Sequence, residues 1–103
     1  LAVTSAERWP TMNHIPTMAQ AGLENFVVSS WQGFVFPNGT PRAAVERVSA
    51  ALRQIVADQA LQDRFLRTGA LAVWSSADDL KARAARETPM WQEAVRISGA
   101  RLE

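Results

Sequence analysis

The chain of 103 residues contains no cysteine, which excludes disulfides, thiolate metal sites and cysteine nucleophiles together. That absence leaves the compartment open, because a chain without disulfides folds in oxidising and reducing spaces alike. No run of about 18 apolar residues occurs, so no segment reads as a membrane span. Nor does any basic stretch followed by an apolar core mark a signal peptide in these residues. An excess of one charge is missing too: eleven basic residues face ten acidic ones, for a net charge of +1. Attraction to a polyanion is therefore not expected, and nucleic acid is set aside as a partner. Histidine occurs once, and the five glycines are scattered singly, so no phosphate-cradling loop is present.

What is present describes a folded chain of at most one domain. Hydrophobic residues make up 48% and charged residues 20%, far from the composition of a disordered segment. The opening Leu1-Ala2-Val3-Thr4-Ser5 is apolar and strand-prone, and reads as a strand entered from upstream sequence. A proline-bounded loop follows, through Trp9-Pro10 to Ile15-Pro16. Thr17-Met18-Ala19-Gln20 then has the spacing of a capping box, opening a short helix that Gly22 ends.

Residues 26–36 are rich in Val, Phe and Trp and alternate as a strand does, with Gly33 at a bend or close approach. Pro37-Asn38-Gly39 predicts a turn, and Thr40-Pro41 an N-cap with proline at the first helical position. Between residues 41 and 58, Val45, Val48, Leu52 and Ile55 recur at helical spacing. Asp58 caps a second helix carrying Leu61, Phe65 and Leu66, with Gly69 at its end. Residues 71–74 read as a third strand.

Ser76 and Asp79 repeat the capping pattern before a final helix. Its stripe is Leu80, Ala84, Trp91, Val95 and Ser98, and Gly99 ends it. Pro89 lies inside. An interior proline costs about 3 kcal/mol if the helix stays continuous, so a kink or break is expected across residues 86–90.

No catalytic grouping emerges. His14 has neither a serine nor a carboxylate at triad spacing, and neither Ser29-Ser30 nor Ser75-Ser76 lies in a nucleophile elbow. Asp78 and Asp79 lack the further oxygen ligands that a calcium or magnesium loop needs, and they suit the first turn of a helix. Lys81, Arg83 and Arg86 are diluted by neighbouring acids and read as a solvated face. Of the tryptophans Trp9, Trp31, Trp74 and Trp91, Trp31 is the candidate ligand contact. It follows two serines and precedes Gln32-Gly33, where a polar run interrupts an apolar strand, as in a strand crossing a cleft.

Four stretches in order carry a family resemblance across nearly the whole chain. They are Leu1-Ala2-Val3-Thr4-Ser5, Ile15-Pro16-Thr17-Met18-Ala19-Gln20-Ala21-Gly22, Ser30-Trp31-Gln32-Gly33 running into Pro37-Asn38-Gly39-Thr40-Pro41, and Glu87-Thr88-Pro89-Met90-Trp91. The order resembles the C-terminal part of Bug or TctC-type receptors of tripartite tricarboxylate transport systems. Departures are Gln20 where the family usually has an acid, His14-Ile15 where an aspartate-valine pair is typical, and Pro89 where a helix-friendly residue stands.

The resemblance implies an α/β chain, the C-terminal part of a type II periplasmic-binding-protein (Venus-flytrap) fold, with about three short strands and three to four helices. Residues 1–5 would end one lobe, residues 26–36 form the returning crossover strand, and residues 41–103 belong to the other lobe. It further implies a periplasmic, non-catalytic carrier, without cofactor or metal, that binds a small organic acid for delivery to membrane transporter subunits. Thr4, Ser5, Thr17, Ser30 and Trp31 would border the cleft, with hydroxyls donating to carboxylate oxygens and the indole covering an apolar face. Surfaces meant for the other lobe would favour self-association of the isolated segment. The competing expectation is a small module that docks a partner protein through its amphipathic helices, recognisable by binding without any small acid.

Overall fold

The computed structural model describes residues 1–101, which divide into two compact units, Leu1–Phe34 and a second that begins at Val35. In the first unit, proline sets the path. Pro10 opens a 3-10 turn, Pro10–Met12, and Ile15 N donates to Met12 O at 2.9 Å, which turns the chain back on itself. Val3 then pairs with Thr17 in a single parallel bridge: Val3 N donates to Pro16 O and Met18 N to Val3 O, both at 2.9 Å.

The capping box predicted at Thr17 forms as read. Gln20 N donates to Thr17 Oγ1, and Thr17 N donates to Gln20 Oε1, each at 3.2 Å. The short helix expected behind it does not form, and a turn takes its place. Gly22 adopts φ 99°, with Leu23 N donating to Met18 O at 2.9 Å and Gly22 N to Ala19 O at 3.1 Å. That pair of bonds is the Schellman stop. Start and stop signals overlap within six residues, so no interior turn is left to propagate a helix whose nucleation is costly.

The second unit carries three α-helices: α1, Arg42–Val56; α2, Gln59–Arg67; and α3, Ala77–Ser98. Thr40 does not cap α1 as expected. Its hydroxyl donates to Pro37 O at 2.8 Å, closing the turn before the helix, and Pro41 occupies the cap position. Asp58 does cap α2, accepting from Leu61 N at 2.8 Å, and Gly69 at φ 79° closes it in a second Schellman stop. Ser76 accepts from Asp79 N at 3.1 Å at the head of α3, where Asp78 and Asp79 oppose the helix dipole. Gly99, at φ 67°, ends it.

The break expected near Pro89 is absent, because α3 runs continuously from Ala77 to Ser98 with the proline inside. Proline denies Ala85 O its amide donor. One residue earlier, Thr88 Oγ1 donates to Ala84 O at 2.7 Å, and the helix continues on either side.

The three expected strands are the larger correction, since no strand is formed among the described residues. Residues 1–4 contribute an isolated bridge at Val3, residues 26–36 a backbone bond from Val28 N to Thr4 O at 2.9 Å, and residues 71–74 no ladder. A strand exists only as half of a pair. Side chains, not a ladder, hold residues 71–74: Gln62 Nε2 donates to Val56 O at 2.6 Å and to Ala72 O at 2.9 Å. Trp74 Nε1 donates to Ser49 O at 3.0 Å while the Arg53 guanidinium lies 5.0 Å from the indole ring.

No sealed core results. Ala72 and Thr17 are the buried residues among those described, and no large side chain is fully enclosed. Of the α1 stripe, Val45 and Leu52 are half-buried whereas Val48 and Ile55 are exposed. In α2, Leu61 and Leu66 are half-buried and Phe65 is exposed.

Candidate solute-binding segment

All five residues expected at the cleft lie in the first unit. The bridge at Val3 brings Thr4 and Thr17 onto neighbouring segments, and the bond from Val28 N to Thr4 O draws in the segment that continues to Ser30 and Trp31. The opening segment, the Thr17 turn and the start of the Val-rich segment therefore meet around Val3 and Thr4. Thr4, Ser30 and Trp31 are exposed, with Trp31 keeping 39% of its surface. Ser5 is half-buried, and its hydroxyl donates to Glu7 O at 2.6 Å. Thr17 is 5% exposed and its oxygen accepts from Gln20 N, so its main work is local.

Arg8 was not singled out from sequence, yet it braces this unit. Its Nε donates to Gln20 Oε1 at 2.9 Å and its Nη1 to Asn13 O at 2.8 Å. Gln20 Oε1 thus serves the capping box and the arginine at once. The signal was available only indirectly: Arg8 is the one lysine or arginine among residues 1–34, but a twelve-residue separation from Gln20 has no local signature. His14 is exposed in the same loop.

Charges elsewhere are arranged as helix-surface pairs. Glu46 accepts from Arg42 Nε at 2.6 Å, which holds the Arg42 pKa above its ordinary value. Arg96 bonds Glu93 through two nitrogens, lowering the carboxyl of Glu93 and raising the guanidinium. Arg83 and Glu87, 2.8 Å apart, are partly covered. Among the described residues no group of three His, Cys, Asp or Glu could hold a metal, and no helix is long and apolar enough to cross a membrane.

This geometry can be set beside known proteins. A profile described as the tripartite tricarboxylate transporter family receptor matches residues 1–98. A protein of the tcbD-tcbE intergenic region of Pseudomonas sp. strain P51 is 37% identical over 100 residues, covering 92% of this chain and 29% of that protein. The structure of the R. palustris protein Rpa4515 with adipate superposes with a TM-score of 0.77 at 28% identity, covering 96% of this chain and 33% of the other. The periplasmic binding protein BugD gives 0.74 at 33% identity, covering 95% and 33%. The chain thus spans about a third of the length of the relatives it matches, and it takes a conformation found within Rpa4515 and within the periplasmic binding protein BugD. It belongs to the receptor family of the tripartite tricarboxylate transporters.

Proposed function

We propose that this chain forms part of a periplasmic receptor that captures a small organic acid and presents it, unreacted, to a tripartite tricarboxylate-type membrane transporter. The observation that carries the reading is the family match over residues 1–98 together with the likeness to the periplasmic binding protein BugD and to a protein solved with adipate. Residues 1–5 end one lobe, residues 26–36 return as the crossover, and residues 41–103 belong to the other lobe. Thr4, Ser5, Ser30 and Trp31 border the cleft. Thr17 contributes by holding the turn beside them, its hydroxyl being engaged in the capping box. Hydroxyl groups donate to carboxylate oxygens, and the exposed indole of Trp31 covers the apolar part of the acid. Solute binds the closed lobes more tightly than the open ones, so closure follows from differential affinity and signals the loaded state.

The test is calorimetry with a panel of dicarboxylic and aromatic acids. The protein used is BugD in which this chain replaces the third it matches. At least one acid should bind, and Trp31→Ala should weaken that binding by about tenfold, as expected for removing an aromatic cover. If no acid in the panel binds, the solute reading fails. If an acid binds and both Trp31→Ala and Ser30→Ala leave its affinity unchanged, the cleft lies elsewhere.

A further inference from the structure

The chain has three asparagines, Asn13, Asn25 and Asn38, and all three are exposed. What separates them is the residue that follows. His14 and Phe26 put a ring beside the next backbone nitrogen, whereas Gly39 puts no side chain there. Asn38 and Gly39 form the turn between residues 26–36 and α1, with Gly39 in the left-handed region at φ 83°. The turn is closed by the residues on either side of that pair: Thr40 N donates to Pro37 O at 3.3 Å and Thr40 Oγ1 to the same oxygen at 2.8 Å. Among the described residues no hydrogen bond engages the Asn38 side chain or the Gly39 N–H. The place where a β-carbon on Gly39 would stand has no atom within 4 Å.

That arrangement meets the needs of an intramolecular acyl substitution. Attack of the Gly39 nitrogen on the Asn38 side-chain carbonyl closes a five-membered ring, so the nucleophile is held at high effective concentration. The reaction needs a nitrogen with no hydrogen bond to give up, a following residue without a β-carbon to crowd the ring, and a backbone free to rotate between the two. Gly39 supplies the first two, and the open space around it permits the third. A bond forms from the Gly39 nitrogen to Asn38 Cγ while the bond from Cγ to Nδ2 breaks, and Nδ2 leaves as ammonia with the proton from Gly39. Water then opens the imide. Cleavage at Cγ gives aspartate, and cleavage at the main-chain carbonyl gives isoaspartate, in which the chain runs through the side-chain carbon.

We propose that Asn38 is a site of spontaneous modification, converting through a cyclic imide with Gly39 to aspartate and isoaspartate, with water as the co-reactant. Either product takes the net charge from +1 to zero. It also puts a carboxylate ahead of α1, whose head has neither an acid in its first turn nor a side-chain cap. Isoaspartate adds a carbon to the main chain between Pro37 and Thr40, which pulls apart the two bonds that close the turn. The entry to α1 is thereby altered without an enzyme, and the inference is independent of any solute the chain binds.

The test is peptide-resolved mass spectrometry of the 103-residue chain during incubation near neutral pH, in buffer and in urea. The peptide holding Asn38 should gain about 1 Da, about tenfold faster than those holding Asn13 and Asn25. An isoaspartate-specific methyltransferase should label that same peptide. Asn38→Gln, whose imide would need a larger ring, should abolish the change, and Gly39→Ala should slow it about tenfold. Similar rates at all three asparagines overturn the proposal. So does a rate in buffer more than about tenfold below that in urea, since the folded turn would then protect Asn38. The same limit holds in the BugD chimera, where a slower reaction would mean that the rest of a receptor covers the turn and would overturn the proposal as well.

Discussion

Gln20 occupies a position with two demands on one oxygen, since its Oε1 accepts from both Thr17 N and Arg8 Nε. An amide meets both weakly, and a carboxylate would meet both with charge-assisted bonds. Gln20→Glu should therefore tighten the turn. Arg8 and Gln20 are exposed, which limits the gain to about 0.5 kcal/mol. Amide exchange at Thr17 N–H, compared with the parent chain at the same pH, should slow about twofold near neutrality. The sign of the pH dependence follows from the partners. Arg8 and the Thr17 amide would hold the new carboxyl below the usual value of about 4.3, so the gain is full above that value and disappears as the pH falls through the lowered one. Equal slowing at about pH 3 and pH 6 would show that charge is not its source. The spacing of Thr17 and Gln20 made the box legible in sequence because both halves lie within one turn. The contribution of Arg8 was not legible, because a contact across twelve residues depends on the path of the loop between them.

At the scale of elements, local signals read well and shared ones did not. Asp58, Gly69, Ser76 and Gly99 mark helix ends as their side chains and backbone freedom dictate. Each acts on atoms within a few residues. Strands are different: residues 26–36 and 71–74 have the alternation and composition of strands, yet their ladders need neighbours that the described residues do not supply. Pro89 misled in the other direction. Its cost was read as a kink or break, and of the two the break does not occur, since the 22-residue helix stays continuous through it. That cost should still be measurable. Pro89→Ala restores a donor for Ala85 O and removes the ring clash, so α3 should gain up to about 3 kcal/mol. Slower amide exchange across residues 86–93 and higher helical circular dichroism would show the gain. Unchanged exchange there would mean that the helix has already absorbed the proline by adjusting its geometry.

At the scale of the whole chain, covering surface is what its stability lacks. Hydrophobic burial is the main term opposing conformational entropy, and here Phe34, Val35, Val73 and Ile97 keep 72% or more of their surface. The helices are well capped, but caps contribute about 1 kcal/mol each and cannot replace a core. The five candidate cleft residues inherit this condition: their segments meet at an isolated bridge at Val3 and a backbone bond at Thr4, where a sheet would hold them through a ladder. The isolated chain should accordingly bind an apolar dye and melt broadly, with an enthalpy well under the roughly 0.7 kcal/mol per residue of a close-packed domain near 60 °C. In the BugD chimera the same residues should join a single sharp transition and release the dye. Scanning calorimetry with dye fluorescence on both proteins decides the matter. A sharp, full-enthalpy transition in the chain alone would mean that it closes its own core in solution, removing the need for any further covering surface.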